Sequence, residues 1–474
     1  MVLAACAAVV VGVIHFAWYV WAARRLAAVM EECRRRGEPV TAGQLAGDIV
    51  GDERNAVPHL LEAGQMARGW SARLPANPEV SSDIYAYPLE QSATASIEGI
   101  LAANADAMAA FDLAKLLPGV YWRPNADPWL RHVDVRWQAR AFQHVSNLLG
   151  LEAAHARAVG DDLKAVRRVR DMLWLARVMD GQANWPSHVA ALGLEENVIR
   201  LLRNFALDLR VSDGAEFRGE LRGLIDDLLE EAGRRGRFER AIVGEQVMWA
   251  ERARAGVTRT RETTKGPPYY EVVRASRAEE WVLAAVRPYV MARSAANMVA
   301  AREGREVVGR GWQASWARPR GRGAVAVGGP VRAAVTPPAA WVARLVAAPD
   351  YAGEVKRQFQ QVAQRRLLAT VLAVRLYRVG HGGKWPEKLE ELVPDCLTAV
   401  PVDPFAADGR GLGYVNGAPG PFVYSVDEDG VDHTATGAAP PVRYRWSDLL
   451  VSGADLVAFL TPVSDSPSQA GPHK

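Results

Sequence analysis

Glu152 and His155 stand three apart, the Glu-x-x-His spacing that puts both side chains on one helical face in di-iron carboxylate sites. Such a site needs a second pair and further glutamates, and none is evident here. His132, His144 and His188 are scattered and read as structural. Cys6, Cys33 and Cys396 lie far apart, which gives neither a disulfide framework nor a Cys-x-x-Cys metal spacing. No Walker A loop, G-x-S-x-G elbow, H-E-x-x-H pair or G-x-G-x-x-G turn occurs. Gly309-Arg310-Gly311 and Gly321-Arg322-Gly323 lack the flanking strand and helix of a phosphate loop. Arg318, Arg320 and Arg322 with Trp312 and Trp316 have the cation-plus-aromatic make-up of a single-strand nucleic-acid grip. A flexible linker accounts for the same composition.

Composition narrows the classes further. A chain of 474 residues suggests two or three domains, and its 49% hydrophobic content suffices for sizeable cores. The net charge of +3 is small for this length, and no one-sided basic concentration marks a nucleic-acid footprint. We expect no nucleic-acid partner. The arginine excess over lysine, beside abundant Ala, Gly and Val, fits codon bias in a GC-rich genome.

Residues 2–22, VLAACAAVVVGVIHFAWYVWA, are almost continuously apolar. A helix of about 20 such residues spans the hydrocarbon core of a bilayer. Trp18, Tyr19 and Trp21 cluster where amphipathic rings prefer the interface, and Arg24 and Arg25 stop the run. No small-residue cleavage site follows, which favours a retained anchor over a signal peptide. The lipid bilayer is thus the first expected partner, through residues 2–22. Arg24, Arg25 and Arg34-Arg35-Arg36 follow the span, so the positive-inside rule places the body in the cytoplasm.

Beyond residues 1–25 the chain divides by pattern: a juxtamembrane segment over 26–90, a helical domain over 91–301, a Gly/Arg/Pro-rich linker over 302–345 and a terminal module over 346–474. A charged helix over 26–36 should stop at Gly37 and Pro39. Leu148, Leu151 and Ala154, then Leu163, Val166, Val169 and Leu173, make two amphipathic stripes that meet at Gly160-Asp161-Asp162. Gly can end the first helix and Asp can cap the second. Further helices are expected over 192–209, 216–234 and 277–300, the last kinked at Pro288. No second copy at a fixed offset supports a repeat solenoid, so the reading is an antiparallel helical array.

In the terminal module, Leu368, Leu372 and Leu376 stripe a long helix over 353–379, ended by Gly380, Gly382 and Gly383. WPEKLEELVP should form a short helix burying Leu389, Leu392 and Val393. Strands are expected around Leu412 and Tyr414, around Phe422, Tyr424 and Val426, and over 455–459. The order LYRVGHGGKWPEKLEELVP, VPVDPF, Tyr414, VYSVDEDGVD resembles the C-terminal part of the major pseudopilin of type II secretion, over roughly 353–460. The resemblance implies a long helix packed on a small antiparallel sheet, and an outward-facing body, against the charge rule. The chain departs from a pseudopilin in carrying its apolar segment at the far end. A cut after Gly12 would also leave Ala17 where the family has Glu.

The resemblance further implies a calcium ion in the loop matching YSVDEDGVD. Asp427, Asp429 and Asp432 would be its ligands, with Gly430 permitting a tight turn. Calcium takes about six to eight oxygens, which three aspartates, backbone carbonyls and water can supply. The spacing is not that of an EF-hand, Asp427 stands where the family usually has Gly, and a solvated acidic turn is the alternative.

The fold class expected is therefore mainly α, with an N-terminal transmembrane helix, a helical array and a small C-terminal α+β pseudopilin-like module. The function expected is that of a single-pass membrane protein of the bacterial cell envelope with a structural or interaction role and envelope protein partners. The membrane side is left open, leaning periplasmic. The alternatives are an accessory of a type II secretion-like system, and an uncharacterised hydrolase in the helical domain, which would show a pocket-lining cluster of ionisable groups.

Overall fold

The computed structural model describes residues 2–45, 50–67, 91–123, 131–255, 259–262, 270–273, 277–310, 351–417, 420–426, 430–434 and 456–460. The chain is mainly helical. Its first helix, α1 (Val2–Arg35), is one continuous element that carries the apolar run directly into the charged segment. The expected break between anchor and juxtamembrane helix is absent, because no Gly or Pro interrupts residues 13–35. Then come α2 (Ala42–Leu45), α3 (Ala56–Met66), α4 (Gln91–Ala103), α5 (Ala105–Leu116), α6 (Arg131–Ala158), α7 (Asp162–Asp180), α8 (Trp185–Phe205), α9 (Ala215–Leu229), α10 (Ala232–Ala255), α11 (Arg277–Arg310) and α12 (Tyr351–Gly380). A β1–β2 hairpin (Arg259–Glu262, Tyr270–Val273) separates α10 from α11.

The α6–α7 hairpin forms as its sequence dictates. Gly160 adopts φ +86°, a left-handed conformation costly for any residue with a Cβ. Asp161 caps α7, its side chain accepting from the Lys164 amide at 3.0 Å. Leu148, Leu151, Ala154, Val166, Val169 and Leu173 are all buried. α8 starts on a similar device: Asn184 accepts from the Ser187 amide at 2.9 Å, with Pro186 just inside the helix. The segment expected as one helix over 216–234 is broken at Glu230, and α10 begins two residues later as a separate element. α11 continues through Pro288 to Arg310, reaching into the segment read as linker. The remainder of that segment lies outside the described residues.

α12 is the spine of the molecule. Leu367, Leu368, Val371, Leu372 and Val374 are buried, and the helix packs on α9, α8 and α11 as well as on the sheet. Residues of the helical array and of the C-terminal segment belong to one continuous hydrophobic core, running from Ala56 to Leu460. The terminal sheet has the order β3 (Gly413–Val415), β4 (Phe422–Ser425), β5 (Leu456–Phe459), antiparallel throughout. β4 is its centre and all four of its residues are buried, so the alternation expected there is lost. The expected helix in WPEKLEELVP is instead a single 3-10 turn, Leu389–Leu392, which still buries Leu389 and Leu392.

Candidate functional site

Four places in the described structure gather residues of functional interest. The first is α1, which among the described residues is the helix long and apolar enough to cross a membrane. Its two halves have opposite fates. Ala22, Leu26, Met30 and Cys33, spaced three or four apart, pack on Met248 and Trp249 of α10 and on Val290, Met291 and Met298 of α11. Val9, Val10, Val11, Val13, Ile14 and Phe16 are exposed, each by more than half. Trp18 and Trp21 sit at the junction, with the Arg25 guanidinium 5.5 Å above the Trp21 ring. His15 Nε2 lies 2.8 Å from the Ala285 carbonyl oxygen and donates to it, which ties α11 alongside α1.

The second is a charged cleft of about 580 Å³. The outer face of α7 supplies Lys164, Arg167, Arg168, Arg170, Asp171, Trp174 and Arg177, flanked by Asp112 and Lys115 of α5 and Glu220 and Asp227 of α9. Arg168 grips both oxygens of Asp112, at 2.7 and 3.2 Å, and Asp171 at 2.9 Å, while Lys115 takes the other Asp171 oxygen. Asp227 bridges Arg170 at 2.9 Å and Arg177 at 2.7 Å. Glu220 bridges Arg167 at 3.1 Å and Arg170 at 2.5 Å. Burial works against the Glu220 charge, but Arg170 and Arg167 hold its carboxyl below the usual range. Glu152 is drawn into this lattice, at 2.8 Å from Lys164 and 2.7 Å from Arg168. His155 turns instead to Glu98 at 2.9 Å. The Glu-x-x-His pair is thus divided between two unrelated sets of partners.

The third is a buried ionic knot where α8, α10 and α12 meet. Glu195 accepts from Arg365 at 2.9 Å and from Arg234 at 2.6 Å, and all three are almost fully buried. Arg365 also donates to the carbonyls of Leu228 at 3.0 Å and Asp227 at 2.7 Å, satisfying the last turn of α9 with a cation where the helix dipole favours one. Gln361 accepts from Arg234 at 3.2 Å and donates to the Leu192 carbonyl at 2.9 Å. Burial pulls the Arg234 guanidinium down to about 10 against the attraction of Glu195. Burial likewise opposes the Glu195 charge, yet Arg234 and Arg365 hold its carboxyl below the usual range. Beside the knot, buried His188 meets Asp180 through Nδ1 at 2.7 Å, packed against Trp185 and Phe238. The structural reading of His188 matches this geometry.

The fourth is the terminal module, where the residues of the pseudopilin-like motifs converge. Arg378 lies 3.6 Å above the Trp385 ring, and Tyr377 stacks on His381. The Tyr414 hydroxyl donates to the Pro386 carbonyl at 2.9 Å, and burial pushes that phenol up to about 12. Asp403, from VPVDPF, is buried and fully engaged. It accepts from Ser425 Oγ at 2.8 Å, the Phe405 amide at 2.9 Å and the Val426 amide at 2.8 Å. Of the expected calcium ligands, Asp427 and Asp429 lie outside the described residues. Asp432 Oδ2 accepts from Arg410 at 2.8 Å and from the Tyr424 hydroxyl at 3.3 Å. Among the described residues no three metal-ligating side chains come together.

Compared with family models, curated proteins and solved structures, the chain matches none. The pseudopilin likeness rests on its motif order.

Nothing in the sequence singles out the cleft or the knot. The charged residues of α7 do follow helical spacing opposite its apolar stripe, which marks a polar face. That α5 and α9 wall this face into a cleft is a long-range fact.

Proposed function

We propose that this chain is a single-pass membrane-anchored structural or interaction protein of the bacterial cell envelope. The observation that carries this reading is the division of α1, exposed and apolar in its first half and docked into the body in its second. An apolar surface of this kind is unfavourable in water, by about 25 cal/mol for each Å² left exposed, and is relieved by lipid. The docked half then fixes the body directly against the bilayer surface, with Trp18, Trp21, Arg24 and Arg25 at headgroup level. The body stands on the outer side, where the terminal module and the face of the array meet envelope protein partners.

The side of the membrane is tested by a compartment-sensitive reporter fused after Lys474. Activity confined to a periplasm-reporting fusion supports the outward body. Activity confined to a cytoplasm-reporting fusion reverses the orientation and sends the search for partners inside the cell.

A further inference from the structure

The charged cleft on α7 leaves guanidinium edges unused by its own ion-pair lattice. Each of its four lining carboxylates, Asp112, Asp171, Glu220 and Asp227, already accepts from Arg or Lys through both oxygens. The arginines are not used up in return. Arg167 binds through Nε and Nη2, Arg170 through Nε and Nη1, and Arg177 through Nη1. Among the described residues, Arg167 Nη1, Arg170 Nη2 and Arg177 Nε and Nη2 have no hydrogen-bond partner. The six cations of the lining, Lys115, Lys164, Arg167, Arg168, Arg170 and Arg177, are matched in number by those four carboxylates together with Glu152 and Glu216 behind them, so what is left over is donor capacity rather than charge. The cleft therefore presents surplus hydrogen-bond donors, with its carboxylates acting as struts that fix the guanidinium planes.

Two further features suit a ligand. Trp174 offers an apolar wall among the charges. Gly223 of α9 leaves room for the Arg170 fork: a Cβ built there would fall 2.5 Å from Arg170 Cζ and 2.7 Å from Nη2. A cavity of about 580 Å³ is of the size that takes small organic molecules.

We propose that this cleft binds a small organic oxyanion, phosphate- or carboxylate-bearing, held by the free edges of Arg167, Arg170 and Arg177 with its apolar part against Trp174. A planar guanidinium fork matches both oxyanions, so the two share one recognition chemistry. The inference does not depend on membrane anchoring.

The test is calorimetric titration of the full chain in detergent with pyrophosphate and, separately, with citrate, at ionic strength matched with sodium chloride. The expected result is saturable binding with a Kd of about 0.1–1 mM for at least one of the two. Which one binds tells phosphate from carboxylate. Arg177→Gln should weaken that binding by about tenfold or more, since a charge-assisted contact is lost. Gly223→Ala, which keeps every charge but displaces the Arg170 fork, should weaken it in the same direction. Thermal melts of both variants verify that the fold is kept. No saturable binding up to about 10 mM of either probe overturns the proposal. So does binding that both folded variants retain unchanged.

Discussion

Replacing Glu195 by Gln probes how the C-terminal helix is held to the array. The substitution keeps the volume of the side chain but removes the one carboxylate between Arg234 and Arg365, both almost fully buried. Two guanidiniums then face each other without the carboxylate that joined them. Removing one partner from a buried ion pair costs about 3–5 kcal/mol, because the charge left behind is desolvated and uncompensated. For a chain of this size, whose unfolding entropy is about 1 kcal/mol/K, that is a fall in melting temperature of about 3–5 °C. Intrinsic tryptophan fluorescence during heating, in detergent, reads it directly.

The acid limb adds a second readout. The folded-state carboxyl of Glu195 is held below its ordinary range, so its contribution is present above the unfolded pKa and is lost as pH falls through the folded value. Glu195→Gln should abolish that part of the acid sensitivity. Replacing all three residues by apolar ones, Glu195→Leu with Arg234→Met and Arg365→Met, should recover most of the loss. The part not recovered belongs to the carbonyls of Asp227 and Leu228, which lose their donor. A Glu195→Gln protein melting within about 1 °C of the parent would refute the reasoning, since that corresponds to about 1 kcal/mol, below the cost of a broken buried pair.

Asp403→Ala should destabilise the sheet by about 2–4 kcal/mol, because Ser425 Oγ and the amides of Phe405 and Val426 lose their acceptor. Hydrogen exchange at the Val426 amide should rise with it, and unchanged exchange would contradict the role given to Asp403. Gly160→Ala should cost about 1–2 kcal/mol, through strain at its positive φ. Asp161→Ala should cost about 1 kcal/mol, through loss of the cap on α7. Urea unfolding measures both. Calcium in excess over chelator should raise the melting temperature if Asp427, Asp429 and Asp432 share an ion, and an unchanged melt ends that reading.

How much of this was legible depends on the range of the interaction. The α6–α7 hairpin was readable to the residue, because an apolar stripe, a Gly and a capping Asp all act locally. α12 and the three strands of the terminal sheet were readable from periodicity and turn residues. The start of α8 carried a local signal in Asn184 and Pro186 that the apolar pattern alone passed over. The break at Glu230 had no such signal: no Pro stands there, and the nearest glycine, Gly233, lies inside α10 rather than at the break. The buried ion pairs could not be read at all. Arg365 and Glu195 lie 170 residues apart, and nothing local marks either as buried. The same holds for Arg177 and Asp227, 50 residues apart across the cleft.

Membrane attachment through α1 is the central claim, and alkaline carbonate extraction of whole membranes tests it most directly. The full chain should stay with the membrane pellet, and a chain lacking residues 2–22 should be released to the supernatant. Release of the full chain by carbonate would contradict the account. It would leave the exposed apolar half of α1 to be covered by protein rather than by lipid.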